Sequence, residues 1–284
     1  MRHLRVRQRA RQSFLLVVRH VRRRRSSGLS GQGVASLPEA ASPSKTASEV
    51  VIRATGLVRE YGSVVAVAGI DLELGAGEFL TIFGPNGAGK SSLLGLLGGS
   101  ARPTRGTVSV RGDELDFGVE SWRHRIGVLS HKSFLYSELT AAENLRFFGR
   151  LFGLTDLETR VPERLEHVGL TNRAHLMVSQ LSHGMRQRLA LARALLHDPD
   201  VVLLDEPYTG LDPSAAAVLR GVLTELKDGR RTVIMVTHNL GEGLHLASRV
   251  AIQVSGRFAW EGDVAELDAA NFERFYHRVV EGRT

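Results

Sequence analysis

Gly84-Pro85-Asn86-Gly87-Ala88-Gly89-Lys90-Ser91 fits the phosphate-loop pattern G-x-x-x-x-G-K-S/T, and the rest of the chain is legible from it. Glu78 to Phe83, just before it, reads as a short buried strand; Ser92 to Leu97, just after, reads as the start of a helix. That strand–loop–helix setting is what gives the motif its meaning. Glycines let the backbone fold tightly and turn successive N–H groups inward as an anion nest. The helix that follows aims its positive dipole end at the same point. Lys90 then reaches the β- and γ-phosphates of a nucleotide, and the Ser91 hydroxyl can ligate Mg²⁺. The alternative is a glycine-rich turn that binds nothing.

Composition narrows the setting. The chain has 284 residues and a hydrophobic share of 43%, enough for a sizeable core in one large domain or two small ones. No run approaches the roughly 18 apolar residues that span a bilayer, so the expectation is a soluble protein or one held to a membrane by a partner. There is no cysteine, which excludes disulfides and thiolate metal sites and suits a reducing cytoplasm. The net charge of +7 hides an asymmetry. Residues 1–48 hold ten arginines and one lysine against one acid, Glu39, a balance of +10; the rest carries 26 basic and 29 acidic residues, a balance of −3. A nucleic-acid surface on the main body is therefore not expected.

Residues 1–48 read as a disordered basic leader. Three roles compete for it: a tail for anionic lipid or nucleic acid, a transit-type sequence, or a spacer with no role, the last being favoured because the folded pattern begins abruptly at Val50. Val50 to Leu74 reads as strand fragments of an antiparallel sheet, with Tyr61 either capping it or stacking on a purine base. Thr107–Val110 and Ile126–Leu129 read as strands, the latter ending at Ser130-His131. Ala141 to Phe152 and Glu158 to Val168 read as helices, with Pro162 placed in a first turn. The block from about 132 to 180 thus reads as an inserted helical subdomain.

Ser182 is a good N-cap for a helix running to Leu196, and its loop makes a second anion site. Val201 to Leu204 reads as a buried strand closed by Asp205-Glu206-Pro207. A carboxylate there can hold Mg²⁺, and Glu206 can polarise an attacking water. Asp212 caps a helix opened by Pro213; Thr232 to Thr237 is a core strand ending at His238; residues 250–260 form a hairpin, and residues 263–284 a helical tail. Buried strands alternating with helices give an α/β fold with a largely parallel sheet.

The order of these motifs resembles the nucleotide-binding subunit of ATP-binding-cassette transporters over about residues 49–262. The resemblance implies a phosphate-loop NTPase of the cassette type: a parallel core sheet with an antiparallel β subdomain and an inserted α-helical subdomain. It implies ATP held by Tyr61, by Gly84 through Lys90, and by Ser91 and Ser92, with Mg²⁺ on Ser91 and Asp205. Leu181-Ser182-His183-Gly184-Met185 is similar to the signature that meets the partner subunit's ATP; Glu206 and His238 match the catalytic glutamate and the switch histidine, and Asp212 the dimer-contact loop. His183 and Met185 depart from the common Gly and Gln. His131 stands where the family usually has a glutamine, which puts direct metal ligation there in question. One loop and one signature per chain imply a homodimer, and an integral-membrane permease as partner, on the cytoplasmic face of the cell membrane. A narrower similarity, through Ser130-His131-Lys132, Leu135-Tyr136, Glu143-Asn144-Leu145, Phe147-Phe148 and Glu206 to Asp212, points to the haem exporter subunit of cytochrome c maturation. Exporters of drugs or lipid-linked molecules share parts of it. A soluble cassette ATPase acting on ribosomes or DNA would carry two cassettes or a long coiled coil, and a nucleotide kinase would lack the signature.

Overall fold

The computed structural model describes residues 49–116, 121–131 and 133–282. The basic leader and Lys132 lie outside these residues. A long hairpin comes first: β1 (Val50–Tyr61) and β2 (Val64–Gly75) run antiparallel, with Tyr61 opposite Val64. The fragments read from the sequence are therefore two continuous strands. Gly56 and Gly69, which break the pattern, sit where the register shifts between Ala54 and Val58; the N–H of Gly56, freed there, donates to Asp71 Oδ1 at 2.7 Å. β4 (Arg105–Val110) lies against the other edge of β1, and the two-residue β5 (Asp113–Glu114) closes this four-stranded sheet.

The second sheet follows a different rule. β3 (Phe79–Phe83) leads through the phosphate loop into α1 (Lys90–Leu97). After β6 (Ile126–Leu129) come α2 (Ala141–Leu151), α3 (Leu157–His167) and α4 (His183–Ala194). β7 (Val201–Asp205), α5 (Pro213–Glu225), β8 (Thr232–Val236), α6 (Leu240–Leu246), β9 (Arg249–Val254), β10 (Arg257–Asp263) and α7 (Phe272–Val280) complete the order. The sheet runs β10-β9-β3-β8-β7-β6, parallel throughout except for β10, which returns antiparallel on β9. The expected α/β fold is thus present, with a parallel core sheet, an antiparallel sheet and helices.

Burial explains why β7 is apolar from Val201 to Leu204 and β8 from Val233 to Val236, rather than at every second position. Val201, Leu203, Ile234 and Val236 point to one core, shared with α1 and the antiparallel sheet. Val202, Leu204, Val233 and Met235 point to the other, shared with α2 to α5. A strand covered on both faces reads as a continuous hydrophobic run. α2 and α3 belong to that second core through Ala141, Leu145, Leu157, Val161 and Leu165. The Thr140–Glu143 capping box sets the start of α2. Pro162 is a correction: α3 begins at Leu157, so the proline stands in its second turn, where its missing N–H leaves a helical bond unmade. The buried stripe of Leu157, Val161 and Leu165 holds the helix regardless, because burying three such side chains outweighs one lost hydrogen bond.

Candidate functional site

The carboxyl ends of the parallel strands carry the chemistry, as open α/β sheets arrange it. Gly84 follows β3, Ser130 and His131 follow β6, Asp205 ends β7, and Thr237 and His238 follow β8. The phosphate loop is cramped from behind by backbone. A Cβ on Gly84 would stand 2.2 Å from the Gln253 carbonyl oxygen, and one on Gly89 would stand 1.9 Å from that of Ala66. Gly89 has φ +97 and caps α1 with no side chain, so the first N–H groups of the helix, through Lys90, Ser91 and Ser92, are left uncapped by any side chain. Within the loop, Ala88 N donates to Pro85 O at 3.2 Å. Lys90 folds back, its Nζ donating to Gly84 O at 2.8 Å and Pro85 O at 3.1 Å. Burial lowers the Lys90 pKa, and the Glu206 and Asp205 carboxylates oppose that shift.

Ser91 Oγ donates to Asp205 Oδ1 at 3.0 Å, and His131 Nε2 lies 3.8 Å from Asp205 Oδ2. Burial raises the Asp205 carboxyl; His131 and the Ser91 hydrogen bond pull it down, and Glu206 adds to the rise. Two hard oxygens meeting beside a phosphate loop suit magnesium, which takes one or two protein oxygens and completes its shell with phosphate and water. Among the described residues no group of three or more His, Cys, Asp or Glu is placed to hold a metal ion.

Glu206 has φ +50, a strained setting for a residue with a Cβ, and its N–H donates to Val236 O at 2.9 Å. Its Oε2 accepts from Thr237 Oγ1 at 3.2 Å and His238 N at 3.3 Å, and lies 2.9 Å from His238 Nδ1. Three groups on one oxygen fix the carboxylate. An imidazole protonated at Nδ1 donates to it and leaves Nε2 as an acceptor. The His238 ring is largely exposed, whereas Glu206 is nearly enclosed.

The second set stands elsewhere on the chain. Ser182 Oγ accepts from Met185 N at 3.3 Å and caps α4. His183 Nε2 is 3.1 Å from Thr209 O, Gly184 is pressed so close to α5 that a Cβ would meet Ala215 Cβ at 2.7 Å, and Leu181 and Met185 pack on the core of α2 to α5. Asp212 Oδ1 caps α5 by accepting from Ala215 N at 2.9 Å. Among the described residues no hydrogen bond or ion pair joins Leu181–Met185 to the phosphate loop.

The profile of the ABC transporter family matches residues 67–209. The chain belongs to that family of ATP-binding cassettes. Relatives named Nod factor export ATP-binding protein I agree. That of Cupriavidus pinatubonensis is 39% identical over 211 residues, 74% of this chain and 65% of its own; that of Sinorhizobium fredii is 40% identical over 221 residues, 77% and 64% respectively. The chain therefore spans somewhat less than two-thirds of these two relatives. Among solved cassettes, a dimeric one in a post-hydrolysis state bound to ADP and Pi superposes with a TM-score of 0.68 at 27% identity, over 75% of this chain and 98% of that one. An ATP-binding subunit of an ABC transporter gives 0.70 at 28%, over 80% and 94%.

Other cassette features fall where the hairpin tip and β9 meet the loop. Tyr61 is exposed at the turn, with the Arg59 guanidinium 4.4 Å from its ring centroid, so one face of the ring is already covered. β2 approaches the phosphate loop at Ala66 rather than at Tyr61. Thr237, Gln187 and Gln253 went unread in the sequence. Thr237 fixes Glu206, and Gln187 Nε2 donates to Pro207 O at 3.1 Å, tying α4 to the catalytic turn. A glutamine inside Val250-Ala251-Ile252-Gln253-Val254 was a readable signal, since buried strands rarely hold an amide.

Proposed function

We propose that this cassette is the ATP-hydrolysing subunit of an exporter and works as two copies against an integral-membrane permease, on the cytoplasmic face of the membrane. One observation carries it. The chain has a phosphate loop with its Asp205, Glu206 and His238, and a Ser182-capped helix start that no bond among the described residues joins to that loop. A second copy would bring its Leu181–Met185 start to the open side of the γ-phosphate, with Asp212 beside the junction. The dimeric cassette with ADP and Pi supports that arrangement. The working unit lies in residues 49–262, with 132–180 as the helical block and 263–284 as a tail.

The residues then divide the work. The phosphates displace Lys90 from the Gly84 and Pro85 carbonyls and take its ammonium group, while the uncapped N–H groups at Gly89 to Ser92 face the same charge. Ser91 and Asp205 would hold magnesium, which would supply positive charge against the transferring phosphoryl group. His131 Nε2, 3.8 Å from Asp205 Oδ2, would help to orient that carboxylate. Glu206, held through Oε2, orients and deprotonates the attacking water, and His238 contacts the γ-phosphate. Adenine stacks on the open face of Tyr61. Phe134 and Tyr136 are exposed beside α2 and form the face for the permease. No helix among the described residues is long and apolar enough to cross a membrane, which fits a separate membrane subunit.

Cargo is the finer question. The names of the relatives favour Nod factor export, whereas the residues around 130–148 resemble haem exporters. We take export of a Nod-factor-like or lipid-linked molecule as the leading reading and haem export as the second. Lys90→Ala tests the core of the proposal. Loss of ATP binding, with the wild-type chain co-purifying with an integral membrane protein, supports it; full affinity in the variant, or a wild-type chain that co-purifies with ribosomes instead, overturns it. Stimulation of the purified complex by one cargo and not the other separates the two readings.

A further inference from the structure

The carboxamide of Gln253 is a fully enclosed polar group that the steps above do not use. Gln253 has no exposed surface, and neither amide atom has a hydrogen-bond partner among the described residues. Its neighbours in β9 are apolar, so a leucine would fill the place without stripping an amide of water for no return. The side chain lies directly behind the phosphate loop. Its nitrogen is 3.0 Å from the point where a Gly89 Cβ would stand, and the Ala66 carbonyl oxygen is 1.9 Å from that same point. The Gln253 carbonyl crowds Gly84 at the other end of the loop. Three residues on, Gly256 N donates to Ala88 O at 2.9 Å. β9 and its turn therefore grip the loop at both ends, with an idle amide between the grips.

We propose that Gln253 is a positioning residue of the phosphate loop: unpaired while Lys90 is folded onto the loop carbonyls, and hydrogen-bonded to the backbone it faces at Gly89 and Ala66 once a triphosphate is held. The inference rests on the ATP-site reading. Taking Lys90 off Gly84 and Pro85 frees those two carbonyls, and the loop they open ends at Gly89, against the amide. An amide that can turn over presents either a donor or an acceptor to the shifted backbone. Its unmet bonds thus favour the loaded loop over the empty one, because only the loaded loop satisfies them.

Gln253→Leu and Gln253→Met in the full chain test this. The nucleotide-free midpoint of thermal unfolding should stay level or rise in both. The KM for ATP should rise by about three- to tenfold, the worth of one neutral hydrogen bond, with kcat kept. A merely structural glutamine would lower the midpoint and leave KM alone. A lower midpoint in both variants overturns the inference, since the amide is then paired in the empty protein, and so does an unchanged KM. If the wild-type chain binds ATP, Lys90→Ala does not, and the Gln253 variants match wild type, this inference fails alone; if the wild-type chain binds no ATP, the site reading falls and takes it along.

Discussion

The phosphate loop and the Ser182 helix start both offer backbone N–H groups to an anion, yet they are held by opposite means. Around the loop the restraints are main chain on main chain: β3 paired to β8 and β9, Gly256 N on Ala88 O, and the Ala66 and Gln253 carbonyls against glycines. Around the helix start they are side chains reaching for carbonyls. Arg186 donates to Leu181 O at 2.6 Å, Arg188 to Val168 O at 2.7 Å, Gln187 to Pro207 O, and His183 meets Thr209 O. A ladder of backbone bonds is all or nothing. Side-chain ties are worth about 1 kcal/mol each and can be exchanged singly. The loop is thus anchored at both ends, and only the main chain that Lys90 holds at Gly84 and Pro85 is left to adjust when a triphosphate binds. The helix start can be re-seated one tie at a time, which is what the proposed closure on another copy's nucleotide would require.

The largest expected effect lies in the rigid half. Glu206→Gln removes the base while keeping the side-chain shape and the donors Thr237 and His238 N. Turnover should fall by about 10²- to 10⁴-fold with ATP still bound, and the variant should run as a dimer in size-exclusion chromatography with ATP. Wild-type turnover would remove Glu206 from the mechanism and leave the contrast between the two regions without its chemical side. Ser182→Ala comes next and probes the adjustable half. Loss of the cap should cost about 1 kcal/mol of stability. ATPase activity should fall while the ATP affinity of a single chain, set by the loop, stays put; an equal loss of affinity would mean that the two halves are one rigid unit.

That contrast also governs what was legible. The phosphate loop, Asp205, Glu206 and His238 are consecutive with their strands, and backbone restraint is local in sequence, so their positions at the ends of β3, β7 and β8 were legible. The α/β class followed from β7 and β8 being apolar on both faces. Long-range side-chain work was not legible. Nothing in the spacing says that Gln187 reaches Pro207, or that Gly56 is a bulge whose N–H finds Asp71. Pro162 was read into a first turn, although it is the sixth residue of α3, which starts at Leu157, one residue before the expected Glu158. Tyr61 kept both of its readings, because an exposed ring at a hairpin tip looks the same whether it awaits a base or caps a sheet.

The smallest expected effect sits away from both regions, at His197, where the far end of α4 meets the start of β6. It follows α4, its Nε2 is 3.2 Å from Ile126 O at the start of β6, and its ring stacks on Phe152 at the end of α2 with centroids 3.9 Å apart. Burial pushes its pKa down to about 4; the Ile126 carbonyl opposes that, and His124 and Arg193 add to the fall. The folded protein therefore holds the ring neutral, with Nε2–H donating to Ile126 and Nδ1 buried without a partner. An unfolded histidine takes its proton near pH 6.5, before the folded one does. The stability tied to a neutral ring is therefore fully present above about pH 6.5 and is lost as pH falls from there to about 4, at up to ~1.4 kcal/mol per pH unit. Carboxylates titrate at the lower end of the same range, so the reading is the difference from His197→Phe, which keeps the stack and carries no proton. At pH 8 the variant should be weaker by about 1 kcal/mol, the worth of the Ile126 bond, and that deficit should shrink and reverse by about pH 5. Denaturant melts at four or five pH values would decide it. Parallel curves would show that the ring is hydrated when folded.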